Sequence, residues 1–443
     1  MKIYDAIISG VEKYVAPLAA KVGSQRHVRA MRDGFIVAMP FIIVGSFVLI
    51  LAFPPFDQDT TNGFARGWLD FAAANFDMIM MPHFMSMAIM GIFVSMGVAY
   101  SLAKSYNMDG ITSAALSLMT FFLVASPAAD DALSMAYMGG TGVFTAVLSG
   151  FFSVELYRLM KKYNITIKMP EQVPPAIQRS FEVLLPVVAI FVTIYPVSVW
   201  LQATHGMLIP EAILEAFKPL VSASNTLPAI LGAILLCQLL WFAGIHGGAI
   251  VVGLVTPIFL TNVTANIEAF MAGEPVTNIF TQAFWDYYIL IGGSGATLGL
   301  VALMAFSRSA HLKSLGRMSA IPGMFQINEP VIFGSPIVMN PTLFLPFVFV
   351  PMINAVVAYI AVHSGFIGMS IATLPWTTPA IIGASWGAGW TFMPVVMVVL
   401  LFIMDILLYY PFFKMYEREL LAQEQPQEES QIETSASGVS ATA

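Results

Sequence analysis

Between Met318 and Phe413 the chain carries two formal charges, Glu329 and Asp405. A soluble domain spreads charged side chains over its surface, at about 25% of its residues. Here Asp, Glu, Lys and Arg together reach 10%, and hydrophobic residues make up 58% of 443. The apolar residues come in runs close to the roughly 20 that cross a bilayer core of about 30 Å. Many of the 33 glycines and 27 prolines fall inside those runs, as is common in membrane helices. A transmembrane β-barrel would read instead as short alternating segments. The fold class is therefore an all-α polytopic membrane protein, with the lipid bilayer as its solvent.

Apolar stretches able to span lie roughly at 33–53, 83–103, 109–128, 138–160, 181–204, 227–260, 284–307, 342–363 and 388–413. Lys and Arg gather on cytoplasmic loops. Arg26, Arg29 and Arg32 precede the first span, Lys104 follows the second, and Arg158, Lys161, Lys162 and Lys168 follow the fourth. The intervening loops hold Asp57, Asp59, Asp70, Asp77, Asp130 and Asp131. That pattern places the N-terminus inside and alternates the first five spans. The basic loop RSAHLKSLGR at 308–317, and Lys414 and Arg418 after the last span, also belong inside. An odd number of crossings must then lie between 204 and 308, where two strong candidates stand. Something in 227–307 is re-entrant or broken, or an extra crossing is hidden there.

Two further apolar segments, 321–340 and 366–385, are interrupted. The first holds Pro322, Pro330 and Pro336 with Gly323 and Gly334, and the second Pro375, Pro379 and Gly383. Proline removes a helical hydrogen bond and kinks or ends the helix. Backbone freed in this way survives at membrane depth only when buried in protein or lining a wet cavity. Interrupted hydrophobic segments are therefore pointers to a transporter's binding site. The chain divides into a scaffold of regular spans (1–205), an interfacial linker helix (206–226) and a C-terminal part with the broken segments (227–416). Residues 417–443 form a tail with six glutamates up to Glu433 and no aromatic after Tyr416, a composition that predicts disorder. Ile3, Ile7, Val11, Val15 and Leu18 recur at helical spacing; a helix on the membrane surface and a plain cytosolic cap helix both fit. The one cysteine, Cys237, lies in an apolar run, so no intrachain disulfide or cysteine metal cluster exists; a small buried residue is its expected role.

Glu329 stands between Asn328 and Pro330 in GMFQINEPVIFGSP. A charge at the centre of a membrane helix costs about 3 kcal/mol on the lenient insertion scale, so an intramembrane carboxylate is a functional-site hypothesis by default. The bland reading is a carboxylate tied to freed backbone amides. Asn328 reads equally as a ligand or a loop-capping amide. His246 sits in WFAGIHGGAIVVG among three glycines, which weakens the helix, so that a cavity-lining and a plain structural histidine fit equally. Trp241, Trp285, Trp376, Trp386 and Trp390 fall in the same half. An interfacial belt explains most of them, but Trp376 in LPWTTP offers an indole face suited to a sugar ring. The run GGSGATLG at 292–299 contains Ser294 and lacks the G-K-[ST] of a phosphate loop. Close packing of small residues accounts for it. There is no H-E-x-x-H or other metal-ligand spacing, no cofactor motif and no expectation of nucleic acid. Any energy source is an ion gradient or a partner protein.

GMFQINEPVIFGSPIVMNP, WFAGIHGG and GGSGATLGL together resemble the membrane component IIC of bacterial phosphotransferase systems, in the lactose/cellobiose/diacetylchitobiose class. The resemblance runs from QRHVRAMRDGFIVAMP to the PWTTP segment; the N-E-P motif is its specific part. It implies about ten transmembrane helices with two re-entrant hairpins in the C-terminal half, and a homodimer formed through the N-terminal half. It implies a bacterial inner (plasma) membrane location with both termini cytoplasmic. It also implies a β-linked disaccharide substrate of the cellobiose, diacetylchitobiose or lactose type, phosphorylated by a partner IIB that acts with IIA. By the same resemblance Glu329 and His246 contact the sugar, with Trp241 and Trp376 beside them. Asn328 and Ser294 complete the expected binding set, and Glu329 is also a candidate general base. A cation-coupled symporter using Glu329 as its coupling site, and a non-transporting scaffold or receptor, are the alternatives.

Overall fold

The computed structural model describes residues 13, 17, 21 and 24–440 except 55, 57–58, 127, 130–131, 168–174, 336 and 338–339, with the backbone alone at 46, 50, 128–129, 132, 175–180 and beyond 422. Positions 3, 7, 11, 15 and 18 of the expected surface helix lie outside the described residues. Among the described residues the regular elements are helices, apart from a two-residue antiparallel ladder pairing Ala128–Ala129 with Ala132–Leu133.

The first bundle contains α1 (Arg26–Ala52), α2 (Gly63–Ala74), α3 (Phe76–Phe84), α4 (Met90–Ser105), α5 (Gly110–Ala125), α6 (Val143–Lys162) and α7 (Pro175–His205). Gln25 starts α1 by accepting from Val28 N at 2.8 Å, and Asp109 starts α5 by accepting from Thr112 N at 2.7 Å. Such caps satisfy amides that the first turn leaves open. Between helices the contacts are small and polar: Ser95 Oγ meets Ser117 Oγ at 2.6 Å, and Ser153 Oγ donates to Thr120 Oγ1 at 2.8 Å. Close approach through small residues holds membrane helices together, where lipid removes the hydrophobic drive between them.

The second bundle contains α8 (Ile209–Ser224), α9 (Leu227–Phe242), α10 (Gly247–Met271), α11 (Leu298–Ala305), α12 (Ala310–Met324), α13 (Glu329–Gly334), α14 (Pro341–His363), α15 (Ala380–Gly387) and α16 (Met393–Ser440). The buried apolar side chains form two clusters, and α10 contributes to both. Its Val251, Ile258 and Phe259 enter the C-terminal cluster, while Leu260, Val263 and Ile267 enter the N-terminal one. α8 meets α9 at a bend of 81°. Cys237 is fully buried on α9.

Among the described residues, seven helices are long and apolar enough to span, or eight if the α8–α9 pair is counted as one bent span. Several of the expected stretches do not form one long helix each. The stretch 227–260 splits into α9 and α10 around residues 243–246. The stretch 284–307 splits into a π-helical turn (Trp285–Ile289), a glycine loop and α11. The span expected at 109–128 forms the 16-residue α5.

Where the helices stop, side-chain amides take up the freed backbone. Asn225 Oδ1 accepts from Ile279 N at 3.1 Å and Phe280 N at 3.0 Å. Asn262 donates to Phe280 O at 2.8 Å. Asn266 accepts from Asn278 N at 3.0 Å and donates to Asn278 O at 2.8 Å and Ser370 O at 2.9 Å. Non-helical backbone at membrane depth requires partners of this kind.

The tail begins later than its composition implies. Glu417 is 3% exposed; its Oε1 accepts from Ser307 Oγ at 2.6 Å and Arg308 N at 2.8 Å, and its Oε2 meets Lys414 Nζ at 2.6 Å. Glu417 is therefore a structural residue that fastens α16 to the short turn before α12, not the first residue of a disordered tail; most of the basic segment expected as a loop at 308–317 is the first part of α12. The helix continues to Ser440 through the acidic stretch, where Glu, Gln, Leu and Ala favour helix.

Candidate functional site

A cavity of about 440 Å³ lies between α1, α10 and the broken elements of the second bundle. Trp241, His246, Ser294, Asn328, Glu329 and Trp376 all line it. The six residues come from five separate places in the chain, and only the fold brings them together.

His246 is placed by the break between α9 and α10. Gly244 has φ +76°, and two hydrogen bonds, Gly244 N to Trp241 O at 3.0 Å and Ile245 N to Leu240 O at 2.9 Å, close the end of α9. This is the Schellman arrangement, which wants glycine at the left-handed position. His246 then caps α10: its Nδ1 accepts from Ala249 N at 3.0 Å. An Nδ1 that accepts leaves the proton of a neutral ring on Nε2, so the ring presents a donor on its other edge. The ring also packs on Trp241, with centroids 4.3 Å apart. Trp241 is 4% exposed, and its indole Nε1 is buried without a partner.

Glu329 opens α13, directly after Asn328 and before Pro330. Proline suits this first turn, because its missing N–H would be unpaired there anyway. Glu329 Oε2 is buried without a hydrogen-bond partner. A buried carboxylate oxygen left open in this way is poised for a ligand donor.

Asn328 and Gln326 bind the turn before Glu329 to the glycine loop. Asn328 Nδ2 donates to Ser294 O at 2.5 Å and Thr297 Oγ1 at 3.0 Å. Gln326 Oε1 accepts from Gly292 N at 2.5 Å, and Gln326 Nε2 donates to Asp286 O at 2.7 Å. The loop needs its glycines: Gly293 has φ +96°, and a Cβ there would lie 2.6 Å from Asn328 Cγ. Asn328 thus acts as the loop clamp, with its amide donors engaged on protein. Ser294 gives its carbonyl to that clamp.

Asp286, on the π-helical turn, lines the same cavity, and its Oδ2 is buried without a partner. Two residues lining one cavity thus each carry a buried carboxylate oxygen without a hydrogen-bond partner. Asp286, Gln326 and Arg32 are site residues that sequence reasoning did not single out. For Asp286 a signal existed, an acid inside an apolar span; for Gln326 only its place in FQINEP. Among the described residues, no group of three or more His, Cys, Asp or Glu side chains is arranged to hold a metal ion.

A recess with a donor histidine, open carboxylates and flat indoles suits a neutral polyhydroxylated ring, and comparison with known proteins agrees. The family model for the phosphotransferase system EIIC component matches residues 32–351. The chain is 36% identical over 433 residues to the lichenan permease IIC component of Bacillus subtilis, covering 94% of each. It is 37% identical to the cellobiose-specific EIIC component of Geobacillus stearothermophilus, covering 95% of this chain and 96% of that one. It is 35% identical to the lactose-specific EIICB component of Staphylococcus aureus, covering 96% of this chain and 74% of that one. Among solved structures, it matches the transporter ChbC, the IIC component of the N,N'-diacetylchitobiose-specific system. That match has a TM-score of 0.87 and 36% identity, covering 94% of this chain and 99% of that one.

The chain belongs to the EIIC family of the phosphotransferase system. It is a multi-pass membrane permease component of that system, which sets aside the cation-coupled symporter.

Proposed function

We propose that this chain carries a β-linked disaccharide across the bacterial inner membrane and presents it for phosphorylation by a IIB partner. The observation that carries this reading is the cavity itself, whose volume of about 440 Å³ is lined at once by Glu329, His246, Trp241 and Trp376. Its size falls in the range of roughly 300–1,000 Å³ usual for small-molecule sites. Relatives named for cellobiose, lichenan, lactose and N,N'-diacetylchitobiose support the sugar class. The relative in which IIC and IIB are one EIICB chain supports the partner.

In this reading Glu329 accepts the hydrogen bond of the hydroxyl to be phosphorylated and takes its proton as general base. His246 donates from Nε2 to the same end of the sugar. Trp376 and Trp241 bound the apolar ring faces. Asp286 accepts from a second hydroxyl, and Asn328 and Ser294 keep the wall in place. Segments 321–340 and 366–385 are the re-entrant hairpins, 206–226 is an interfacial linker, and both termini are cytoplasmic. Two copies pair through the N-terminal bundle, as the family resemblance implies.

The test is phosphoenolpyruvate-dependent phosphorylation of a disaccharide panel in vesicles with the IIA and IIB partners added. The reading requires phosphorylation of at least one β-linked disaccharide that disappears when IIB is omitted. Uptake that persists without the partners and collapses with an ionophore would overturn it.

A further inference from the structure

Arg32 reaches the cavity from the opposite bundle. It lies on α1 and lines the same space as Glu329 and Asp286. Among the described residues that line the cavity, it is the only Lys or Arg.

Its position is built. A Cβ on Gly253 would lie 3.4 Å from Cβ and Cγ of Arg32, so the arginine stem runs over bare backbone of α10. Arg32 Nε and Nη2 donate to Asp33 Oδ1 at 3.1 and 2.8 Å. Asp33 Oδ2 in turn accepts from Ser101 Oγ on α4 at 2.8 Å. One edge of the guanidinium is thus fixed, and Nη1 has no hydrogen-bond partner among the described residues.

A neutral sugar does not require a cation here, whereas a phosphoryl group does. The carboxyl groups of Glu329 and Asp286 offer an anion no positive charge, and transfer of phosphorus concentrates negative charge on its outer oxygens. A planar guanidinium held by a carboxylate is the side chain best shaped to meet those oxygens. We infer that Arg32 contacts the phosphoryl group as it passes from a phosphorylated side chain of the partner to the sugar. This rests on the phosphorylation reading above.

In that step the sugar hydroxyl oxygen forms the new bond to phosphorus. The bond from phosphorus to the partner's side chain breaks, and that side chain leaves with the electron pair. The hydroxyl proton passes to Glu329. Arg32 keeps its protons throughout and donates a hydrogen bond from Nη1 to an outer phosphoryl oxygen. Because Arg32 belongs to α1 and Glu329 to α13, the site is complete for phosphoryl transfer only when the second bundle is seated against α1.

Arg32→Gln and Arg32→Lys, made in the full chain and placed in vesicles with phosphorylated IIB, test this. Arg32→Gln should hold disaccharide affinity within about threefold and lower phosphoryl transfer by roughly 10²–10³-fold, as removal of a transition-state donor does. It should also weaken binding of the phosphorylated disaccharide more than binding of the plain one. Arg32→Lys keeps the stem over Gly253 and the charge, so it should regain part of the transfer rate. If the glutamine variant does not fold, the lysine variant carries the same readouts, with transfer reduced and sugar affinity unchanged. Transfer at the wild-type rate in Arg32→Gln, or an equal fall in sugar affinity and transfer, would overturn the assignment. Failure of the wild type itself to transfer phosphate would instead overturn the functional reading.

Discussion

Asn328 donates its side-chain amide to the carbonyl of Ser294 at 2.5 Å, and so locks the turn bearing Glu329 to the glycine loop. The same nitrogen reaches Thr297 Oγ1 at 3.0 Å. Asn328→Asp keeps the shape, removes the donor and sets a carboxylate against two acceptors. Losing a buried donor in this way costs about 1–3 kcal/mol. A lower melting temperature in detergent, together with weaker disaccharide binding, is the expected outcome. Unchanged stability would show that the clamp does not hold the loop.

Gly293→Ala attacks the same contact from the other side. The φ of +96° and the 2.6 Å approach to Asn328 Cγ leave no room for a methyl group. Strain of about 1–3 kcal/mol is expected from the backbone alone. Thermal unfolding of the purified variant measures it directly, and a melting point equal to that of the parent would contradict this geometry.

His246 has two separable jobs. Capping α10 uses Nδ1, while the ligand-facing edge uses Nε2–H. His246→Asn retains a cap acceptor and removes the reach of the ring; His246→Ala removes both. The alanine variant should lose a further ~0.5–2 kcal/mol of stability, the usual worth of an N-cap. Both variants should lose sugar affinity. Equal stability of the two would show that the cap contributes nothing.

Glu417→Gln tests the fastening of α16. The charge-assisted bonds to Ser307 and Arg308 weaken, and the pair with Lys414 is lost. Hydrogen bonds to charged groups are worth about 1.5–3 kcal/mol. The expected signature is faster proteolysis at the turn between α11 and α12, around Ser307 and Arg308, with disaccharide affinity kept. Unaltered cleavage would contradict the structural role.

Much of this arrangement could be read from the chain before it folded. Glu329 stood out because an apolar stretch with several prolines has no structural need for a bare acid. His246 stood out because glycines frame it, and those glycines end α9 and start α10. What stayed hidden depends on contacts between distant segments. Asp286 lies among aromatic residues and reads as part of a span until the π-helical turn aims it at the cavity. Gln326 matters only because Gly292 and Asp286 fold back upon it. Arg32 was read as a topological charge, since nothing local reveals that α1 closes the site of the other bundle. The break inside 284–307 was hidden for the same reason: hydropathy registers it as one stretch, while the positive-φ glycines at 292, 293 and 295 divide it.

The proposed phosphoryl transfer depends most directly on Glu329. The decisive measurement is a parallel titration of disaccharide binding and of phosphoryl transfer from phosphorylated IIB, in the wild type and in Glu329→Gln. Binding should persist within about tenfold, while transfer falls by roughly 10²–10⁴, the usual contribution of a general base. Equal loss of both would reduce Glu329 to a sugar ligand. Transfer at the wild-type rate in Glu329→Gln would contradict the placement of the reacting hydroxyl in this cavity.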